Sequence, residues 1–442
     1  MQSPAPEVNT TVPRNVVLTN FELLDVDAGE LQSGCSLQVK GEQISALKKG
    51  RIDDPEAVHI DLGGRTLMPG LIDCHVHVCA DAMSSNPPML AAMGVAKAGH
   101  LLHDTLMRGF TTIRDAGGAD AGYRQAVERG LFLGPRLLVS GRPISQTGGH
   151  GDSRATSDFC EVCPKGATFR LIADGVDEVR KGVREEIRRG ADQIKIMASG
   201  GVASPADPID YIQYSMDELL AAVDEATRAN KYVMAHAYMA DAIRRAVEAG
   251  VRSIEHGNFL DEQVARQMAE RGTFLVPTLI VYRRLVSHAK QVGASELHVQ
   301  KSRQVLEMGT RSLEIAKRAG VKMAFGSDLF KAPKEFQSEE FLVRAEVLSH
   351  AEVIRSATIV SAELLRLDDR IGRIREGYLA DLIAVEGNPL RDFQCLQDQG
   401  KHMAFIMKGG RRIKDTLSEV GPDKVEEPKS LGENYLGWRR SR

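Results

Sequence analysis

Aromatic residues are scarce in this chain of 442 residues: they make up 5% of it, and there is one tryptophan. That argues against a platform for stacking nucleic-acid bases. Neither charge is in excess, with 57 Lys and Arg against 60 Asp and Glu. No basic field therefore draws the chain to nucleic acid or to an anionic membrane. The six cysteines (Cys35, Cys74, Cys79, Cys160, Cys163, Cys395) are too few and too irregular for a disulfide scaffold, so reduced thiols are expected. Cys160 and Cys163 have chelate spacing but no second pair nearby, and are read as two loop thiols. No run approaches the ~20 apolar residues of a spanning helix. The first residues lack a basic segment followed by an apolar one, so a cytoplasmic protein is expected. Residues 1–13 and 416–442 read as peripheral tails. A G-x-G-x-x-G turn is also missing, which counts against an open dinucleotide-binding sheet.

What is present is a change of rhythm. Residues 14–67 carry short strands with period-two alternation, as in Ser36-Leu37-Gln38-Val39-Lys40. From 68 to 369, short apolar strands alternate with amphipathic helices. Eight strands are expected, at 70–78, 111–115, 136–140, 193–197, 232–236, 253–256, 274–278 and 322–327. Val176, Val179, Val183 and Ile187 recur at helical spacing, and Ser215-Met216-Asp217-Glu218 is a capping box. Gly109, Gly190, Gly250, Gly272 and Gly320 each close a helical run just before a strand, where a left-handed cap belongs. Helix, glycine, strand, seen five times, implies parallel strands with right-handed crossovers, and eight strands in all imply a (β/α)8 TIM barrel. Strand character returns over 370–415. Neither β segment has enough core alone, so both ends are expected to build one small β-sandwich domain beside the barrel.

In a barrel the chemistry sits at the C-terminal ends of the strands. The first expected strand ends in His75-Val76-His77, whose rings share a strand face and make half of a metal site. The fourth places Lys195 among apolar neighbours, where an ammonium is costly unless paired or neutralised. Reaction of the neutral amine with CO₂ is one escape; snorkelling to a carboxylate is the other. The fifth, sixth and eighth strands end in His236, His256 and Asp328. Each residue alone has an ordinary structural explanation, but five strands delivering six such groups to one rim point to a metal site.

The order of these motifs resembles the amidohydrolase superfamily. The likeness rests on Leu67-Met68-Pro69-Gly70-Leu71-Ile72-Asp73-Cys74-His75-Val76-His77, and on the closing segment Gly372-Arg373-Ile374-Arg375-Glu376-Gly377-Tyr378-Leu379-Ala380-Asp381-Leu382. The resemblance implies two divalent metal ions. His75, His77 and Asp328 would hold one, His236 and His256 the other, and N6-carboxylated Lys195 would bridge them. Imidazole with oxygen ligands suits Zn²⁺. It further implies that a hydroxide shared by the ions attacks the substrate carbonyl. Asp328 then takes its proton and passes it to the leaving amine.

Local segments resemble the peptidase-like branch, which includes Xaa-Pro dipeptidases, carboxypeptidases for N-acyl amino acids and an ochratoxin-hydrolysing amidase. They are Gly148-Gly149-His150-Gly151-Asp152, Lys195-Ile196-Met197-Ala198-Ser199-Gly200-Gly201 and His236-Ala237-Tyr238. The branch implies that His150 and Tyr238 act on the substrate carbonyl and its oxyanion, and that the enzyme is a homo-oligomer. Tyr282, Arg283 or Arg284 would hold a substrate carboxylate, Arg by bidentate pairing; the alternative is that these arginines are solvated. Residues 204–208 would order a lid. The expected substrate is a small dipeptide or N-acyl amino acid. A cyclic amide hydrolase, a deaminase and a non-catalytic scaffold are the other readings weighed.

Overall fold

The computed structural model describes residues 15–84, 89–152, 154, 169–202, 207–291, 293–330 and 332–417. Strands β1 (Asn15–Asp25), β2 (Glu30–Gln32), β3 (Cys35–Lys40), β4 (Gln43–Lys49) and β5 (Val58–Pro69) come first. They are followed by β6 (Leu71–Val76), β7 (Phe110–Asp115), β8 (Arg136–Leu138), β9 (Ile144–Ser145) and β10 (Leu171–Ile172). Next come β11 (Ile194–Met197), β12 (Val233–Met239), β13 (Ser253–Phe259) and β14 (Phe274–Val276). The last are β15 (Leu382–Val385), β16 (Met403–Lys408) and β17 (Arg411–Asp415).

Strands from the two ends share one sheet of eight, in the order β17-β16-β15-β5-β1-β3-β4 with β2 beside β1. The expected sandwich is therefore one continuous sheet. Its pivot is the long strand β5, which runs parallel to β1 over most of its length and antiparallel to β15 at its end. Alternation sorts the side chains. Leu18, Leu37, Val39, Leu382, Ala384 and Phe405 share one core. Met68, Ile383, Val385, Met403 and Ile406 face a second, with Leu102, Leu106, Phe110 and Phe341 of the central region.

The central strands are parallel and lie in two sheets, β6-β7-β8 and β10-β9-β11-β12-β13-β14. Ile194, Ile196, Val233, Ala235 and Ile254 point to a core shared with Val179, Val183 and Leu219 of the covering helices. The helix Gly175–Arg188 buries Val179 and Val183, as its spacing predicts. Ser215 and Glu218 form the expected capping box on the helix Met216–Arg228. All five punctuating glycines have positive φ.

Two strand expectations need correction. The strand at 274–278 stops at Val276, where Pro277 offers no N–H to a ladder and the helix Leu279–Ser287 begins. Residues 322–327 form no regular strand but a single parallel bridge, Met323 with Leu275. Their backbone is nevertheless bonded on both sides. Ala324 N–H donates to Leu275 O (2.9 Å), Cys74 N–H donates to Phe325 O (2.8 Å), and Asp328 N–H donates to His75 O (2.8 Å). The pass is tight at Gly326, where a Cβ would lie 2.5 Å from Val276 and 2.9 Å from His75 side-chain carbons. Phe325 N–H turns instead to Ser356 O (3.1 Å), which breaks the ladder.

Cys74 is buried among Ile72, Val276 and Ala362, and burial pushes its thiol up to about 12, so it packs rather than reacts. Cys160, Cys163, residues 204–206 of the expected lid at 204–208 and most of both tails lie outside the described residues. Among the described residues no helix is long and apolar enough to cross a membrane.

Candidate active site

Alternation on β6, β11 and β12 turns Ile and Ala to the helices and His75, Lys195 and His236 to the interior. His256 breaks that rule. Ile254 faces the helices, so a regular strand would send His256 the same way. A φ of +75° at His256 swings its ring to the rim, where it meets His75 and His236 at ring-centroid distances of 5.0 and 4.7 Å. Asp328 also has a positive φ, +48°. Such backbone in non-glycine residues costs on the order of 1–3 kcal/mol and survives where surrounding contacts over-determine it.

Outer hydrogen bonds fix which ring nitrogen is bare. His75 Nδ1–H donates to Glu255 Oε2 (2.7 Å), and His77 Nδ1–H to Gly117 O (2.9 Å). His236 Nε2–H donates to Gly200 O (3.2 Å), and His256 Nδ1 lies 2.8 Å from Thr278 Oγ1. In His75, His77 and His236, whose partners can only accept, the other nitrogen is left as a lone pair, the arrangement a metal ligand needs. Burial holds His75 down at about 4 and pushes His236 and His256 well below the usual histidine range, so these rings stay neutral. Burial also works against charge on His77, but the Asp328 carboxylate outweighs it and raises that ring.

His75, His77 and Asp328 offer ligand atoms that all lie within 4.8 Å of one another. Asp328 Oδ1 lies 3.3 Å from His77 Nε2 and 3.7 Å from His75 Nε2, buried and without a well-formed hydrogen bond. Lys195 is 2% exposed, and among the described residues no hydrogen bond or ion pair ends on its ammonium. Burial lowers it to about 8, against the pull of Glu255 and Asp328. An unsatisfied carboxylate oxygen, bare imidazoles and an unpartnered lysine fit divalent metal binding.

The sequence model of the amidohydrolase family matches residues 66–413. The chain belongs to the amidohydrolase family. Ochratoxinase of Aspergillus niger is 33% identical over 368 residues, covering 79% of this chain and 75% of that protein. Among solved structures, a prolidase complexed with N-methylphosphonate-L-proline is 47% identical, with a TM-score of 0.88 over 91% of this chain and 100% of that one. A Xaa-Pro dipeptidase with methionine bound in its active site is 32% identical, with a TM-score of 0.81 over 90% and 100%. This amidohydrolase is thus a hydrolase acting on C–N bonds, in a family that is generally metal-dependent and built on barrels with a separate sheet domain.

The amidohydrolase site gathers most of the residues singled out above. His150 stacks on His236 (4.3 Å between centroids, 10° between planes), and Tyr238 stacks on His256 at 5.2 Å. Tyr282 is buried with its hydroxyl 2.6 Å from that of Tyr238 and 3.2 Å from His256 Nδ1. The arginines lie differently. Arg283 is partly exposed and pairs with Glu346 at 2.7 Å, while Arg284 pairs with Glu339 and stacks on Phe336.

Sequence reasoning gave no role to four buried acids. Asp73 accepts from the backbone of His75 and Ser327 (3.0 and 3.2 Å), tying together the segments that carry His75, His77 and Asp328. Asp115 binds the N–H of Val78 and of Gly117 (2.7 and 2.8 Å) around His77. Asp207 holds His150 Nδ1 at 3.1 Å. Glu255 holds His75. A period-two signal was available for Glu255, since Ser253 and Glu255 share the interior face of β13.

Proposed function

We propose that this amidohydrolase hydrolyses the amide bond that joins the C-terminal amino acid of a dipeptide or N-acyl amino acid, a bond also present in toxin amides of the ochratoxin type. The observation that carries the reading is the convergence of His75, His77, Lys195, His236, His256 and Asp328, with bare ring nitrogens and an unpartnered lysine. The prolidase, dipeptidase and ochratoxinase relatives support the substrate class, since each name denotes such an amide.

In this reading His75, His77 and Asp328 would hold one divalent ion and His236 and His256 a second, with Lys195, carboxylated on Nζ, as the ligand they would share. Zn²⁺ suits this donor set. When bound, the ions supply an activated water and polarise the carbonyl. Asp328 accepts the proton of the attacking water and returns it to the leaving nitrogen. His150, oriented by Asp207, donates to the substrate carbonyl, and Tyr238 donates to the oxyanion. Burial of the cluster excludes competing water. The two parallel sheets, joined through residues 322–328, are read as one (β/α)8 barrel over 68–369, with 14–67 and 370–415 forming the flanking domain.

The test is release of free amino acid from acyl-Phe, acyl-Pro, acyl-Leu and acyl-Arg substrates by Zn²⁺-loaded protein. At least one should be cleaved; none cleaved across a broad panel overturns the substrate class. Two ions per chain are expected, and one ion would favour a deaminase-type site.

A further inference from the structure

Glu255 has no part in the chemistry just described, yet it is completely buried and ion-paired with Arg114. Its Oε2 accepts from His75 Nδ1 at 2.7 Å. Its Oε1 accepts from Arg114 Nη2 at 2.9 Å and from Ser253 Oγ at 2.5 Å. Arg114 is equally buried. It also donates to Ser253 Oγ (3.2 Å) and, through Nε, to Cys74 O (2.7 Å), the carbonyl next to His75. The three residues come from three strands: His75 from β6, Arg114 from β7 and Glu255 from β13. They therefore join the three-stranded sheet to the six-stranded one across the interior.

We propose that Glu255 and Arg114 are positioning residues that set the orientation and donor strength of His75 as a metal ligand. The hydrogen bond from Nδ1–H to a carboxylate fixes the tautomer with Nε2 bare and places negative charge behind the ring, which strengthens Nε2 as a donor. Two torsions of His75 are thereby held at both ends, the ring by Glu255 and the neighbouring backbone by Arg114. The arginine is needed because an unpaired carboxylate at this depth would not stay ionised. Ser253 fills a remaining acceptor site on Glu255 and sets the carboxylate plane. Buried ion pairs of this kind contribute little to net stability compared with apolar packing, so the pair calls for a role other than folding.

This inference rests on the reading of His75 as a metal ligand, and the test separates the two. The proteins compared are wild type, Glu255→Gln, and the double variant Arg114→Met/Glu255→Gln, which removes both charges and leaves neither unpaired. Metal-free samples are titrated with Co²⁺ and Zn²⁺ against a competing chelator. Stoichiometry, the affinity of each ion and the visible spectrum of the Co²⁺ form are recorded, together with the thermal midpoint of the metal-free protein. Wild type should bind two ions. Both variants should bind one of them about ten- to a hundredfold more weakly, the range expected on loss of an outer partner of a metal ligand. The Co²⁺ spectrum of the weakened site should change, while the double variant keeps the metal-free midpoint of wild type. Wild type binding no metal overturns the proposed function. Wild type binding two ions, with a folded double variant matching both affinities and the spectrum, overturns the positioning role alone. If Glu255→Gln fails to fold, the double variant and Ser253→Ala carry the comparison, with Ser253→Ala expected to weaken the same ion by a smaller factor.

Discussion

His77 Nε2 and Asp328 Oδ1 face each other at 3.3 Å, with the other ring nitrogen of His77 committed to Gly117 O. In a neutral ring this sets one lone pair against another, so a proton or a cation belongs between them. In the metal-free protein, against the effect of burial on both, the Asp328 carboxylate raises His77, and the nearby His75 and His77 rings hold Asp328 low. Stability from a raised histidine is complete below its unfolded pKa, about 6.5, and is lost as pH climbs through the folded value. The lowered values of His75, His236 and His256 act only below about 6.5. That of Lys195 acts only above about 8. Chelator-treated protein should therefore lose stability between roughly pH 6.5 and 8, and Asp328→Asn should flatten that slope. Urea midpoints across the window measure it; a flat wild-type profile would refute the pairing. Added Zn²⁺ should reverse the trend, because protons compete with the ion for these ligands.

Lys195 leads to a prediction about carbon dioxide. With its pKa lowered to about 8, roughly half its side chains are neutral at pH 8, against about 0.4% for an ordinary lysine near 10.4. The neutral amine adds CO₂ to give a carbamate and a proton. Reconstitution of metal-free protein should accelerate with added bicarbonate, steeply with pH below about 8 and little above it. A ¹³C carbamate resonance from labelled bicarbonate should appear in wild type and be missing in Lys195→Ala, which should also lose bound metal. Full metal retention by that variant sinks the bridging role.

His150 and Asp207 form the next pair to separate. Asp207 Oδ2 takes the Nδ1 hydrogen of His150 at 3.1 Å and also binds Gly201 N–H (3.1 Å) and Gln213 Nε2 (3.2 Å). The carboxylate thus holds both the ring and the loop after β11. Asp207→Asn should lower kcat by about a hundredfold, in the range for a misplaced acid–base group, and leave metal content intact. A kcat within about twofold of wild type, a difference under ~0.5 kcal/mol, would show that the ring needs no such support.

The clustering of the candidate residues was legible in the sequence because parallel strands bring their ends to one rim, and strand ends can be read from apolar runs. His75, His77, Lys195 and His236 follow from that logic alone. His256 and Asp328 reach the same rim for a reason the sequence does not carry: positive φ at each turns a side chain that simple alternation would misdirect. Segment 322–327 was legible as apolar but not as irregular, since its departure depends on Gly326 passing close to Val276 and on Ser356 capturing Phe325 N–H. The supporting acids were hidden for a related reason. Asp73, Asp207 and Glu255 matter through partners far away in the chain, and only the fold reveals which groups they touch. Arg283 differs: its charge suggests a carboxylate anchor, and its half-buried side chain is paired with Glu346.

The two buried phenols allow binding and catalysis to be told apart. The Tyr238 and Tyr282 hydroxyls are 2.6 Å apart, and Tyr282 also reaches His256 Nδ1 at 3.2 Å. Burial raises both phenols, so both stay protonated at neutral pH and each has a hydrogen to donate while its oxygen can accept. With Tyr282 holding its oxygen, Tyr238 keeps its hydroxyl aimed along one line instead of rotating. Removing the hydroxyl in Tyr238→Phe should cost about a hundred- to a thousandfold in kcat with KM little changed, as for loss of one oxyanion donor. Tyr282→Phe leaves that donor in place but frees its orientation, so a smaller fall, about tenfold, is expected. Both variants should keep their full metal content, since neither removes a ligand atom. A rise in KM with unchanged kcat in Tyr238→Phe would instead assign the hydroxyl to ground-state binding of the substrate.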